Sequence, residues 1–287
     1  MLLKKRTRFI IYSVLLLLLV CVIHMFVRGF ILTDVHYEIP TKVNNSIRVA
    51  HLTDLHDVSF GKDNGDLVRL TERQHPDLIF ITGDMINRDT QDLSKVMELV
   101  AQLKEIAPVY YGLGNHEAQW IRTHGESLIT DLEKSGAVVL ENSYVDLRVN
   151  GNNIRIGGYS GYYGTPHMVS SDAQYQESFF RFREVFEDTD RLKILLGHIP
   201  TPWLDWRYID KYDVDLIFSG HYHGGEIKLP FVGGLYAPYV GAFPEYTEGV
   251  FKGEKGTCIL SAGLGTEHFV RFNNPPQLVV ADLVSEV

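Results

Sequence analysis

The chain has 287 residues, 45% of them hydrophobic, with 27 Lys and Arg against 36 Asp and Glu, a formal charge of −9. Five of those cations and no acid fall in the first 28 residues, which leaves 22 basic against 36 acidic residues in the remainder. That balance excludes non-specific nucleic-acid binding, which depends on Lys and Arg neutralising phosphates, and the two cysteines, Cys21 and Cys258, exclude a disulfide framework.

The first predicted element is an anchor. From Phe9 to Val27 the chain reads FIIYSVLLLLLVCVIHMFV without formal charge, and about 20 apolar residues cross a bilayer as a helix. A cleaved signal peptide has a shorter apolar region followed by a small-x-small site, and His24-Met25-Phe26-Val27-Arg28 offers none. Residues 1–28 are therefore expected to form a single-pass, uncleaved membrane anchor. Lys4, Lys5, Arg6 and Arg8 should hold its tip in the cytoplasm by the positive-inside rule. A short connector over 29–46 and one domain over 47–287 then face the other side of the cell membrane.

Within the domain, IRVAHL reads as a buried strand, Asp66–Gln74 as a helix, Asp77–Thr82 as a strand, Thr90–Glu105 as a helix and Pro108–Leu113 as a strand. Ile121–Ser135 is helical by periodicity and closes at Gly136; short strands follow near Val138–Leu140, Val145–Val149 and Ile154–Tyr159. Further on come a helix over Ala173–Glu187, a strand over Leu192–Leu196, a helix over Trp203–Tyr212, and strands over Asp215–Ser219, Thr257–Ser261 and Leu278–Leu283. Strands alternating with helices early, and mostly strands late, predict an α/β layered fold with a large mixed sheet system.

Five of these strands run into polar segments that carry metal-type residues: Asp54-Leu55-His56, Gly83-Asp84, Gly114-Asn115-His116-Glu117, Gly197-His198 and Gly220-His221-Tyr222-His223. Ligands cluster beyond the carboxyl ends of strands in open α/β sheets. Imidazole together with carboxylate and carbonyl oxygen is what divalent metals take. Each segment alone is commonplace, since a strand-end His is more often a structural histidine. Five in one chain are a joint signal.

The order D-x-H, G-D, G-N-H-E, H, G-H-x-H resembles that of the calcineurin-like metallophosphoesterase superfamily, and every position is filled. HLTDLHD at 51–57, GHYHGGEIKLP at 220–230 and SAGLGTEHFVRFNNPP at 261–276 are most similar to its bacterial membrane- or wall-associated phosphodiesterase branch. The resemblance implies two packed mixed β-sheets flanked by helices and a site for two divalent ions. Asp54, His56 and His223 would hold one ion, Asn115, His198 and His221 the other, and Asp84 would bridge them. Mn, Fe, Zn and mixtures suit such ligands. Two ions roughly 3.5–4 Å apart can share a hydroxide nucleophile and clamp a phosphoryl group, and His116 is the candidate general acid for the leaving oxygen. Protein phosphatases that share Gly-Asn-His-Glu carry an Arg where Leu113 stands here, which makes that activity a poor match.

The anchor points to phosphodiesters or pyrophosphates carried by lipids or envelope precursors. A UDP-2,3-diacylglucosamine diphosphatase-like activity is the alternative, and an external site argues against that cytoplasmic substrate. A non-catalytic metal scaffold would be marked by a lost ligand or a lost His116, and none is lost. Among nearby residues, Asn87 could orient His116 or form an Asx-turn. Arg88 and Arg271 could contact phosphate, although exposure is the commoner fate of an Arg. Glu117 reads as a supporting or solvated carboxylate, and Asp57 and His51 as partners of the ligands. The Tyr159–Tyr163 run reads as packing, and His24, His36, His75, His124, His167 and His268 read as ordinary.

Overall fold

The structure, a computed structural model, describes residues 2–159, 161, 173–266 and 270–286; His167, His268, Tyr162 and Tyr163 lie outside the described residues. Helix α1 (Leu2–Arg28) opens the chain. Its stretch Thr7–Arg28 is long and apolar enough to cross a membrane and packs none of that face into the fold.

The connector expected over 29–46 contains a strand, β1 (Thr33–Thr41). Its side chains alternate in exposure and turn Ile39 into the core, the period-2 pattern of an edge strand. After it come β2 (Ile47–Leu52), α2 (Gly65–Arg73), β3 (Leu78–Ile81), α3 (Ser94–Lys104), β4 (Val109–Gly112), α4 (Asn115–His124), α5 (Ser127–Lys134) and β5 (Ala137–Leu140). The helix expected over Ile121–Ser135 is two helices, because Gly125 at φ 90° turns the chain between α4 and α5. Strands β6 (Ser143–Val149) and β7 (Asn152–Gly158), helix α6 (Ala173–Glu187), and strands β8 (Leu192–Leu196) and β9 (Leu216–Ser219) follow. Trp203–Tyr212 is not the helix its spacing suggests. Trp203 and Leu204 both bond back to the Pro200 carbonyl, and Arg207 adopts a left-handed φ of 57°, so only a 3-10 turn at Tyr208–Asp210 forms.

Two short ribbons come next, β10 (Lys228–Leu229) with β11 (Gly233–Gly234) and β12 (Tyr236–Ala237) with β13 (Gly241–Ala242). The chain closes with β14 (Gly249–Lys252), β15 (Thr257–Leu260) and β16 (Gln277–Ser285). One six-stranded sheet has the order β1-β16-β2-β3-β4-β5 and the other β14-β15-β9-β8-β7-β6, both mixed in direction. Strands β3 and β4 are continuous apolar runs buried on both faces, as parallel central strands are, and β2 is buried except at Arg48. Val49, Phe80 and Val279 of the first sheet meet Ile156, Ile194 and Phe218 of the second in a shared core. Leu67, Leu99, Leu103 and Leu132 from α2, α3 and α5 cover the outer face of the first sheet. Phe179, Phe182 and Phe186 of α6, with Trp203, cover that of the second. The two-sheet α/β sandwich implied by the resemblance is borne out.

The end of α1 is tied to this body. Met25 O accepts the Asn273 amide at 2.8 Å, and the Arg28 guanidinium donates to Asn273 Oδ1 at 3.2 Å. A helix leaves its last carbonyls without partners of its own, and here the domain supplies one.

Candidate metal centre

The loops beyond β2 and β3 are laced together: the amides of Asp54, His56 and Asp57 donate to the carbonyls of Gly83, Asp84 and Met85 at 3.0, 3.0 and 3.2 Å. Gly83 also lets the loop beyond β4 come close, because a Cβ there would lie 2.0 Å from the Gly114 nitrogen. Asp54, His56, Asp84, His221 and His223 all take positive φ, between 48° and 69°. Such conformations cost on the order of 1–3 kcal/mol each, and concentrate where surrounding structure imposes them for function.

The structure brings all seven predicted ligands and His116 together; all but Asn115, which is half-buried, are buried. Three groups of donor atoms are close enough to hold an ion: Asp54 with His56 and His223, Asp84 with His198 and His221, and His56 with Asp84 and His116. Asp84 Oδ2 has the Nε2 atoms of His198, His56 and His116 at 3.0, 3.9 and 4.0 Å. Asp54 Oδ1 has those of His223 and His198 at 3.8 and 3.9 Å. Asp84 therefore stands between two imidazole clusters.

The donor chemistry fits divalent ions. Nδ1 of His198, His56 and His223 faces Thr82 O, Asn87 Oδ1 and Gly265 O at 2.7, 2.8 and 3.3 Å. Each acceptor is an oxygen, so each Nδ1 carries a proton; in the neutral His56 and His223 rings this leaves an Nε2 lone pair turned inward, the arrangement of a metal-ligating imidazole. His56 Nε2, Asn115 Oδ1 and His221 Nε2 are buried without a hydrogen-bond partner, which is costly unless something fills the gap. Burial lowers His56 to about 4 and His223 to about 3, and lowers His221 as well, so these rings are neutral and ready to ligate. His198 differs: burial lowers it, but the Asp84 and Asp54 carboxylates outweigh that and hold it up at about 9. Two buried carboxylates favour a positive charge beside them, the charge that a divalent ion would also supply.

Glu117 is the hub beneath the ligands. Its buried carboxylate accepts from the amides of Asp84, Met85 and Gly114 at 2.7, 2.8 and 3.0 Å and from the Tyr111 hydroxyl at 2.8 Å. It is thus a supporting carboxylate rather than a solvated one. His116 donates its amide to Asp84 Oδ1 at 2.8 Å, and its Nδ1 accepts the Arg88 amide at 3.1 Å. The neutral His116 ring consequently keeps its proton on Nε2, toward the ligand cluster.

Asn87 orients His56, not His116; its side-chain nitrogen donates to Asp57, which also accepts from Thr90 Oγ1 at 2.6 Å. Asn87→Ala should therefore loosen the His56 ring and weaken one ion's binding about 10–100-fold, the usual cost of removing such a support. Metal titration of the purified protein checks this, and unchanged affinity at both sites would refute it. Arg271 is buried, not exposed, and spends its guanidinium on the carbonyls of Gly265, Ala262 and Asn274. That leaves it bracing the loop behind His223 rather than meeting a phosphate. His51 is buried with Nε2 at 2.8 Å from Thr82 Oγ1, beneath the loop that carries Asp84.

The ligands open onto a cavity of about 440 Å³ whose wall includes Arg88, Gln119, Glu226, Tyr236, Pro238 and Tyr239. Glu226 went unnoticed in the sequence although it closes the GHYHGGE run. Its carboxyl is buried, Oε2 has no partner, and burial pushes it up to about 7. The Tyr239 ring stacks on His221 at 5.4 Å, a contact across 18 residues that no local pattern signals. A larger cleft, between Tyr144 and α6, holds no metal-type cluster among the described residues.

Residues 47–225 match the family described as calcineurin-like phosphoesterase. The metallophosphoesterase YkoQ of Bacillus subtilis is 26% identical over 186 residues, 64% of this chain and 63% of that one. The chain therefore spans less than two thirds of that relative's length. The phosphodiesterase YaeI of Escherichia coli is 24% identical over 249 residues, 83% of this chain and 82% of that one. A 5'-nucleotidase precursor from Thermus thermophilus shares the fold at a TM-score of 0.50, with 16% identity, over 84% of this chain and 55% of that one. With the family matched across β2 to the His221–His223 loop and its Asp and His side chains gathered into metal-competent groups, the chain belongs to the calcineurin-like phosphoesterases, hydrolases that work with divalent metals.

Proposed function

We propose that this chain is a two-metal phosphodiesterase or pyrophosphatase that acts on lipid-linked or envelope phosphoesters from an anchored position at the cell membrane. The observation that carries the reading is Asp84 set between two imidazole clusters. Asp54, His56 and His223 would hold one ion, Asn115, His198 and His221 the second, with Asp84 shared; Mn, Fe or Zn suits these donors. Bound ions would supply Lewis acidity for activating water and neutralising phosphoryl charge.

The protein's own groups do the rest. Arg88, exposed at the cavity wall, is positioned to take a phosphoryl oxygen. His116 directs its Nε2 proton to the leaving oxygen. An imidazolium would put a second N–H against that of Arg88, so the arrangement supports hydrogen-bond donation, and full proton transfer with a shift of the 87–90 turn. Burial raises the Glu226 carboxyl to about 7, so above that pH it adds negative charge to the wall and penalises a monoester dianion more than a diester monoanion. The similarity to YaeI supports the same preference. The cations in the first turns of α1, Lys4, Lys5, Arg6 and Arg8, support a cytoplasmic tip and an external active site, on the wrong side for the UDP-lipid alternative.

The test is a metal-reconstituted screen of phosphomonoesters, diesters and lipid pyrophosphates with the full chain. Diesters or pyrophosphates should be turned over at least about tenfold faster than monoesters, a difference of about 1.4 kcal/mol in the barrier. A monoester turned over fastest would overturn the diester reading.

A further inference from the structure

The ribbon segment between Lys228 and Phe243 carries an unusual amount of bare apolar surface. Phe231 is fully exposed at the turn between β10 and β11, with Leu229 and Val232 exposed beside it. Phe243 and Tyr239 are exposed on the second ribbon. Phe231 also holds a left-handed φ of 66°, which a bulky residue rarely adopts in a turn that any polar residue could fill. Soluble surfaces seldom gather apolar side chains in one place without a partner.

The position of this segment says what the partner is. Asn273, whose amide caps Met25 of α1, donates its side chain to Lys228 O at 3.2 Å, and Lys228 in turn donates its amide to Phe272 O at 2.9 Å. The base of the first ribbon is thus two hydrogen bonds from the last turn of the anchor. The charge of Arg28 is felt at Lys228. Three residues reach at most about 11 Å, so Phe231 lies within that distance of a strand that abuts the end of α1. Around the same end, Phe30, Ile31 and Val270 are also exposed. The opposite side of the segment is the catalytic cavity, because Tyr236 and Tyr239 line it with His221 and His223.

We propose that the Phe231–Val232 turn inserts into the bilayer interface beside the anchor, with Phe243 resting at headgroup level, so that the cavity opens onto the lipid surface. This rests on the reading of α1 as a membrane span. It adds a second point of attachment to the first, and so fixes which way the cavity faces. The occupant is lipid rather than a protein partner because the patch adjoins the end of a helix whose apolar span is otherwise unburied.

The experiment uses the full chain in phosphatidylcholine vesicles with brominated acyl chains. Single tryptophans are introduced as Phe231→Trp, Phe26→Trp in α1, and Val138→Trp on β5 at the far edge of the first sheet, and each is compared with the parent's emission. The added emission at 231 and 26 should be quenched and that at 138 should not. Quenching at 26 without quenching at 231 overturns the docking and leaves the anchor standing; no quenching at either removes the anchor and the docking with it. In parallel, the double variant Phe231→Ser, Val232→Ser should lose about tenfold or more on a vesicle-embedded diester, since each side chain forfeits its burial in lipid, and nothing on a soluble aryl diester. Equal rates for variant and parent on the vesicle substrate, or equal losses on both substrates, would overturn the proposal.

Discussion

Asp84→Asn should fold, retain neither divalent ion, and lose about 10³-fold or more in phosphoester turnover, since metal assistance is worth several kcal/mol and each 1.36 kcal/mol is tenfold. The fold should survive because the asparagine oxygen can still accept the His116 amide that Asp84 Oδ1 accepts now, and Glu117 still holds the amides of residues 84 and 85. What disappears is the charge that faces His198, His56 and His116 at once. His198→Ala is the contrast. It removes a group that faces Asp84 most closely, and should cost mainly one ion while Asp54, His56 and His223 keep the other. Elemental analysis after dialysis, with circular dichroism for the fold, separates the outcomes. Two ions retained in Asp84→Asn would end the bridging assignment, and one retained would mean Asp84 serves a single site.

His116→Ala should keep the fold and both ions yet lose about 10²–10⁴-fold on an alkyl diester, the range for a group that assists the leaving oxygen. An activated aryl ester, whose leaving group needs little help, should lose far less. The geometry sharpens the expectation. Because the Arg88 amide already occupies Nδ1, the ring as it stands donates a hydrogen bond from Nε2, and proton transfer needs the imidazolium that a shift of the 87–90 turn would allow; the sensitivity to leaving group separates the two. Equal losses on both esters with the metals intact would make His116 a positioning group. The structure also counts His116 among donors that could meet an ion with His56 and Asp84, so loss of metal in this variant would assign it as a ligand.

That the candidate ligands gather was legible in the sequence because they follow short, mostly apolar runs of strand length, and the structure places those strand ends together. The resemblance implied which of them would share an ion. What was not legible depends on contacts between distant segments. Asn87 lies three residues beyond Asp84, and nothing local says that its side chain turns to His56 instead of His116. Arg271 looks like any surface cation until the fold turns the carbonyls of Ala262, Gly265 and Asn274 onto it. Strand β1 was hidden because its sequence, TDVHYEIPT, is too polar for a buried strand, and only pairing with β16 along all nine residues reveals it as an edge. The break at Gly125 was missed because the apolar spacing of α4 and α5 continues in phase across it. Trp203, Ile209 and Tyr212 mimic helical spacing because each is pulled into the same aromatic cluster by irregular turns.

Four residues, 29–32, separate the end of α1 from β1, and the 273 loop grips the helix from the side. A chain joined in this way is mounted on a bracket rather than hung from a string. A domain on a long tether sweeps a hemisphere and samples substrate from the aqueous volume around it. A bracketed one keeps its stance and meets new substrate chiefly as molecules move sideways past it. Under the proposed anchoring, with substrate carried in the same membrane, the relevant concentration is molecules per area of surface, and the composition of the immediate neighbourhood governs traffic more than the amount of substrate dissolved above.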